Sequence, residues 1–293
     1  MSNPDASETL ATITGLVQYP IKSCAGIAVE TAELDTSGLF GDRQFMLTSE
    51  DGQALDQTEN PRMATLRPRF TEGVLTVEAP SSDPLKHEIV TRAATGSGQL
   101  YGDEVPIVDQ GDAAAAWFSR ALGRTCRLVA ESGRFSRKLE GKLRNMISAE
   151  QERFTAVSPL LLTNEESLLD LNGRLKAPVP MDRFRANVVV RGGAPFDEDL
   201  WARLAIGDLE FEKCGLCERC AITTTDQQTG DRGPEPIRTL STYRKLPGTI
   251  LSGICFGVLY RPSGPGTLRV GDAVRLLKRD AELVPNDPDA SDI

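Results

Sequence analysis

Short apolar and β-branched runs closed by turn signals, recurring at roughly 8–12-residue spacing, constrain this chain more than any other feature. Residues 11–19 and 27–34 read as strands. Residues 43–48 pass through Glu50-Asp51-Gly52 into 53–57 as a hairpin, and Glu72-Gly73 joins Arg69-Phe70 to residues 74–77 as another. The pattern returns after Arg185, with strands expected over residues 187–190, 209–211, 221–225, 254–260 and 267–277. Helices are fewer. Asp112 is the expected N-cap of a helix over 113–122, stopped by Gly123, and Thr163 with Glu166 has capping-box spacing ahead of residues 167–172. The polar, charge-rich segment 133–153 reads as a long exposed connection or a partner-facing loop. The expected fold class is mainly β with some helices (α+β). It comprises a β-barrel-like lobe over residues 10–130, a second β-barrel domain over 131–279 and an acidic, disordered tail over 280–293.

Composition narrows the function classes. The chain has 293 residues, 40% hydrophobic and 26% charged, with a formal net charge of −9, so it is a poor candidate for general binding to a phosphate backbone; no nucleic-acid partner is expected. His87 is its only histidine, which excludes His-rich zinc sites and HExxH chemistry, and it sits in a short strand-like run that reads as surface. The first residues lack the basic and apolar regions of a secretory signal, and no stretch approaches the ~18 apolar residues of a membrane span. The expectation is a soluble, cytoplasmic protein without a membrane partner. Its six cysteines are too few for a disulfide scaffold of this size and are expected as thiols or metal ligands.

Three of them form a cluster, Cys214-Gly215-Leu216-Cys217-Glu218-Arg219-Cys220, ahead of a β-branched run, on what reads as a turn entering a strand. A structural zinc or iron–sulfur site would use all three but needs a fourth ligand, and no second CxxC pair exists. A Cys217–Cys220 redox disulfide lacks the βαβ context that supports it. Simple packing of three half-buried thiols is a third reading. The fourth is one thiolate holding a heavier metal whose other ligands come from an organic cofactor, with Arg219 lowering a thiol pKa or pairing with the cofactor.

An acidic protein must gather cations locally to hold a phosphorylated cofactor. Tyr19-Pro20-Ile21-Lys22-Ser23, Gly41-Asp42-Arg43 and Arg183-Phe184-Arg185-Ala186-Asn187 each offer charge or hydroxyl at a strand end. Together with Ile206-Gly207-Asp208, Cys217-Glu218-Arg219-Cys220 and Val270-Gly271-Asp272, in that order, they resemble the MOSC family, named for the C-terminal domain of molybdenum cofactor sulfurase. The resemblance covers roughly residues 12 to 277. Its first part looks like the MOSC N-terminal β-barrel domain found ahead of MOSC in amidoxime reducing components and their bacterial relatives.

The resemblance implies a Mo-molybdopterin cofactor with Cys220 as the protein thiolate on the metal and hence the catalytic residue. Lys22, Ser23, Arg43, Ser158, Arg185, Asn187 and Arg219 fall at its pterin and phosphate contacts. It implies reduction of N-hydroxylated small molecules, of amidoxime or hydroxylamine type, with electrons from an external donor that is ferredoxin-like or cytochrome b5-like with a reductase. Two departures stand out: Val157 replaces an expected hydroxyl residue, and Cys255 or Phe256 stands where a tyrosine would line the substrate side. The rival within the family is a cofactor or sulfur carrier without reductase activity; a zinc-stapled module is the remaining reading. Pyridoxal phosphate is a family-level possibility that this chain does not support, because no Schiff-base lysine can be assigned. Water or an acid such as Asp226 would supply protons.

Overall fold

The computed structural model describes residues 9–71, 73–91, 95–132, 153–155, 158–246 and 253–281. It bears out the mainly β, α+β class. Seven strands close a barrel in the order Val188–Arg191, Leu160–Asn164, Cys255–Pro262, Leu209–Glu218, Trp201–Ile206, Ala273–Arg279 and Thr9–Gln18, the last pairing back onto the first. Six of the seven lie beyond residue 158, so the strand nearest the N-terminus completes a barrel otherwise built from the far half of the chain. Alternation supplies the filling: Ile13, Leu16, Leu162, Val190, Leu204, Phe211, Val258 and Tyr260 point inward and are buried together. Most neighbours are antiparallel. The parallel pair, Leu160–Asn164 with Val188–Arg191, has the helix Glu165–Arg174 in its crossover. Gly257 (φ +82°) lets two barrel strands approach closely, since a Cβ there would meet Leu162 O at 2.8 Å.

A second lobe carries the four-stranded sheet Phe45–Thr48, Arg127–Glu131, Asp103–Asp109 and Gly96–Leu100, with the meander Arg67–Thr71, Val74–Ala79 and Ser82–Glu88 beside it. The helix Asp112–Leu122 drives Trp117 and Phe118 into a core shared with Phe45, Leu47, Ile21 and Cys24. The chain thus leaves the barrel at Gln18 and enters the second core at Ile21, so residues 19–26 bridge two hydrophobic cores.

Local expectations fail where side chains compete with the backbone. Residues 221–225 are not a strand: Ala221–Thr224 is a 3-10 turn, in which the Thr223 and Thr224 hydroxyls donate back to Cys220 O (3.0 Å) and Ala221 O (2.7 Å). Asn164, not Thr163, caps the second helix, accepting from Glu166 N at 3.1 Å; Thr163 lies one residue farther back in the barrel strand, which runs to Asn164. Gly111 is the N-cap of the first helix; Asp112 pairs instead with Arg127 at 2.9 Å. His87 lies in a strand, half-buried, with Nε2 at 3.1 Å from Gln110 Oε1. Residues 133–152, most of the expected polar connection, and 282–293 of the expected tail lie outside the described residues. Arg153, at the end of that connection, is buried and bonds to Leu39 O and Asp35. Among the described residues no helix is long and apolar enough to cross a membrane.

One buried acid makes the fold sensitive to pH. Glu198 sits in the turn Asp197–Leu200 with no exposure, accepts from Ser167 Oγ at 2.6 Å, and leaves Oε2 without a hydrogen-bond partner among the described residues. Burial, aided by the neighbouring Asp199, pushes its carboxyl up to about 7. Between the ordinary Glu range and pH 7 the native state therefore holds a proton that the unfolded chain has released, so stability falls as pH rises through this window and levels off above it. Glu198→Gln removes that dependence. Urea melts at pH 5 and pH 8 should show the variant gaining roughly 3 kcal/mol over wild type at the higher pH relative to the lower; parallel stability curves would contradict the assignment.

Candidate cofactor site

The site forms where the bridging segment 19–26 meets the barrel rim. Tyr19–Lys22 runs against Arg43–Phe45 through Arg43 N to Tyr19 O (2.8 Å), Phe45 N to Pro20 O (3.0 Å) and Lys22 N to Phe45 O (2.7 Å). Two motifs more than twenty residues apart in sequence therefore lie side by side. Asp42, 1% exposed, joins them to a third: it accepts from Tyr19 N (2.7 Å), Asn187 Nδ2 (3.1 Å) and Arg43 Nη1. Asn187 also donates to Val17 O (3.1 Å) and accepts from Arg43 Nη1 (3.0 Å) and Leu161 N (3.3 Å). Every polar atom of that amide is engaged, which fixes Arg43 against the barrel.

Tyr19 carries two guanidinium groups: Arg43 lies 4.6 Å and Arg185 4.4 Å from its ring centroid. Gly26 makes room for the ring, since a Cβ there would lie 2.7 Å from Tyr19 Cε1. Burial holds the Tyr19 hydroxyl up at about 12 despite both cations. The two arginines differ in charge balance. Arg43 is paired with Asp42. Arg185 is 8% exposed and donates only to neutral acceptors among the described residues, Cys24 O at 2.6 Å and Gln227 Oε1 at 3.3 Å. Burial pulls its pKa down to about 10, the direction expected of a desolvated cation. Lys22, also buried, stacks 4.9 Å over Tyr101 and makes no ion pair among the described residues. Burial pushes the Cys24 thiol up to about 12 although Arg185 and Lys22 both act to lower it.

Backbone strain concentrates at the same residues. Ser23 (φ 66°), Arg43 (φ 49°) and Arg185 (φ 56°) all adopt the left-handed conformation, which costs a non-glycine residue about 1 kcal/mol or more. Half of the left-handed non-glycine residues in the described chain are thus sequence-predicted site residues.

The three clustered cysteines separate. Cys214 and Cys217 belong to the strand Leu209–Glu218, which is longer than expected and irregular in register around Gly215 and Glu218; the cluster lies on a strand leading into a turn, the reverse of the expected order. Both pack against Leu161, Ala186, Val189 and Leu259, and burial raises their pKa values. Cys220 lies past the strand end, exposed, at the N-terminus of the 3-10 turn. The segments around it are stapled together: Arg219 donates to Phe184 O (2.7 Å) and Cys217 Sγ (2.7 Å), and Arg183 to Thr224 O (3.1 Å) and Asp226 (2.9 Å).

Ser158 has a different setting. Its hydroxyl donates to Tyr260 O (2.9 Å) and lies against Cys214, and none of its bonds reaches Arg43, Arg185 or Arg219. Val157 lies outside the described residues. Cys255 and Phe256 are fully buried, with Phe256 stacked 3.8 Å from the Phe184 ring, so both back the site rather than border open surface. Tyr19 and Asp42 stood in quoted motifs without being singled out. Gln57 and Gln227 carried no sequence signal at all.

Comparisons with known proteins give the family. Residues 10–125 match the MOSC N-terminal beta barrel domain and residues 149–275 match the MOSC domain. The chain belongs to the MOSC family. It is 35% identical over 287 residues to mitochondrial amidoxime reducing component 2 of Rattus norvegicus, spanning 91% of this chain and 83% of that protein. The Homo sapiens protein of the same name is 33% identical over 288 residues, at 91% and 84% coverage. The molybdenum cofactor sulfurase of Oryza sativa subsp. japonica is 33% identical over 262 residues, covering 83% of this chain but 32% of that protein.

The donor set fits a phosphorylated organic cofactor with one protein thiolate. A buried guanidinium without a hydrogen-bonded carboxylate is an anion site in chemical terms, and the exposed Cys220 thiol is a single soft ligand. No group of three His, Cys, Asp or Glu among the described residues could hold a metal ion, so the multi-cysteine zinc and iron–sulfur readings lack a ligand set there. Relieving strain in this MOSC site should be visible without any cofactor: Ser23→Gly is expected to raise stability by about 1 kcal/mol in chemical denaturation. A loss of stability would mean that Ser23 is not strained.

Proposed function

We propose that this MOSC protein is a molybdenum-cofactor-dependent oxidoreductase that reduces N-hydroxylated compounds, of amidoxime or hydroxylamine type, with electrons from a separate ferredoxin-like or cytochrome b5-like protein. The observation that carries the reading is Arg185, a buried cation held by neutral acceptors beside a second guanidinium. Likeness to amidoxime reducing components over 91% of the chain supports the choice of substrate class.

In this reading Lys22, Ser23, Arg43 and Arg185 hold the phosphate end, while Asn187 and Arg219 border the pterin; Ser158, whose hydroxyl bonds to Tyr260 O, serves the barrel wall instead. Cys220 supplies the protein sulfur to the metal. When bound, the cofactor brings the two-electron oxygen chemistry that no side chain here can perform. The chain orients it, and the contrast between the exposed Cys220 and the packed Cys214 and Cys217 leaves the metal side open to small molecules. Asp226 is a poor proton donor: the backbone N–H of Gln228, followed by those of Thr229 and the Arg183 cation, holds its carboxyl below the usual range, so it stays ionised. Protons then come from water reaching the exposed side.

The exposed thiol also suits the rival role of a persulfide carrier. A carrier labels with persulfide probes at Cys220 and holds no stoichiometric molybdenum. The reductase reading predicts that Cys220→Ala loses molybdenum and released-pterin fluorescence while keeping the wild-type fold, and that Cys214→Ala keeps most of both. Arg185→Ala should weaken cofactor retention by about 1.5–3 kcal/mol, the range of a hydrogen bond to a charged group. Equal metal loss in the Cys214 and Cys220 variants, measured by elemental analysis, would sink it.

A further inference from the structure

Gln57 and Gln227 lie 170 positions apart and form a reciprocal amide pair, each Nε2 donating to the other's Oε1 at 3.0 Å. Both are buried, at 0% and 5% exposure. The pair reaches three parts of the site. Gln57 Nε2 also donates to Ser23 O at 2.8 Å, Gln227 Nε2 to Thr225 O at 3.0 Å, and Gln227 Oε1 accepts from Arg185 Nη1 at 3.3 Å. All hydrogen-bonding positions of the Gln227 amide are therefore in use.

A glutamate at position 227 would have the same shape and would accept the same two hydrogen bonds, but it would lose the two that the amide donates, to Gln57 Oε1 and Thr225 O. It would also give Arg185 the counter-ion that it lacks, and a buried guanidinium normally takes one. We propose that Gln227 is a charge-reserving positioning residue: its neutral amide holds the Arg185 guanidinium in place without neutralising it, keeping that charge for an oxyanion of the phosphate-ester class. Through Gln57 the same amide ties the Ser23 loop to the turn that begins at Cys220, so anion-binding and thiol-bearing segments share one register. This inference rests on the anion-site reading under Proposed function.

Asp42 is paired with Arg43, and Asp182 acts on Tyr19 and Arg185 only through space, so among the described residues Arg185 has a positive charge that no carboxylate pairs by a hydrogen bond. Gln227→Glu cancels it, and Gln227→Met does not. Full-length, cofactor-free protein is titrated with sulfate, which stays dianionic from pH 5 to 9, by calorimetry, with thermal melts alongside. Gln227→Glu should lose about tenfold or more in sulfate affinity, the size of one charge-assisted hydrogen bond. Gln227→Met should melt lower yet bind sulfate within about threefold of wild type, and adding Arg185→Ala to Gln227→Glu should cost little more, because the two changes remove the same charge.

A merely structural role predicts otherwise, with affinity and melting temperature falling together in both single variants; that result overturns the proposal. Should Gln227→Glu give no folded protein, Gln227→Met decides alone: retained affinity upholds the proposal and a tenfold loss ends it. Wild-type protein that binds no sulfate, or Arg185→Ala that binds it equally well, defeats the underlying anion site. Weakening by Arg185→Ala without weakening by Gln227→Glu defeats the Gln227 inference alone.

Discussion

A desolvated guanidinium is expensive to hold without an opposite charge, and Arg185 is held that way. The surrounding structure offsets part of that cost with neutral groups: a carbonyl, a glutamine oxygen and the face of Tyr19. Asp42 lies close enough to favour the charged form, yet its carboxylate bonds to Arg43. Left-handed backbone at Ser23, Arg43 and Arg185 adds strain at the same place. A fold selected only for stability would have set a carboxylate against Arg185 or placed an apolar side chain there. Retaining the charge makes sense where an anion supplies the missing counter-ion on binding.

Barrel closure gives that charge its setting. The strand Thr9–Gln18 pairs with both Val188–Arg191 and Ala273–Arg279, and the chain turns at Tyr19 directly into the second core. Asn187, just ahead of one closing strand, then bonds to Val17 and to Asp42, so the barrel seam and the two guanidinium groups share a single hydrogen-bond network. Changes that loosen the seam should therefore disturb anion binding before they expose the barrel interior.

Much of this was legible in the sequence where the signal was local. The hairpin at Glu72-Gly73 and the helix ending at Gly123 were read from turn and capping chemistry, and Arg43, Arg185 and Asn187 came from strand-end motifs that the fold brings together. Closure of the barrel by its most distant strand had no local signature. Nor had the Gln57–Gln227 pair, since a loop glutamine looks alike whether it faces water or a buried partner. The cysteine cluster misled in order: Gly215 and its bulges hid the extension of a strand to Glu218, and Thr223 and Thr224, which read as β-branched strand formers, fold back on Cys220 and Ala221 instead. Ser158 matched by motif, but its hydroxyl serves the barrel wall.

The central claim is that one protein sulfur, from Cys220, completes a cofactor held at its phosphate end by uncompensated cations. X-ray absorption at the molybdenum edge of the loaded protein tests this most directly. The wild-type protein should show a sulfur shell larger by one scatterer than Cys220→Ser, in which the serine oxygen can hold the metal that Cys220→Ala loses, with Cys217→Ser matching wild type. An identical sulfur shell in wild-type and Cys220→Ser protein would contradict it.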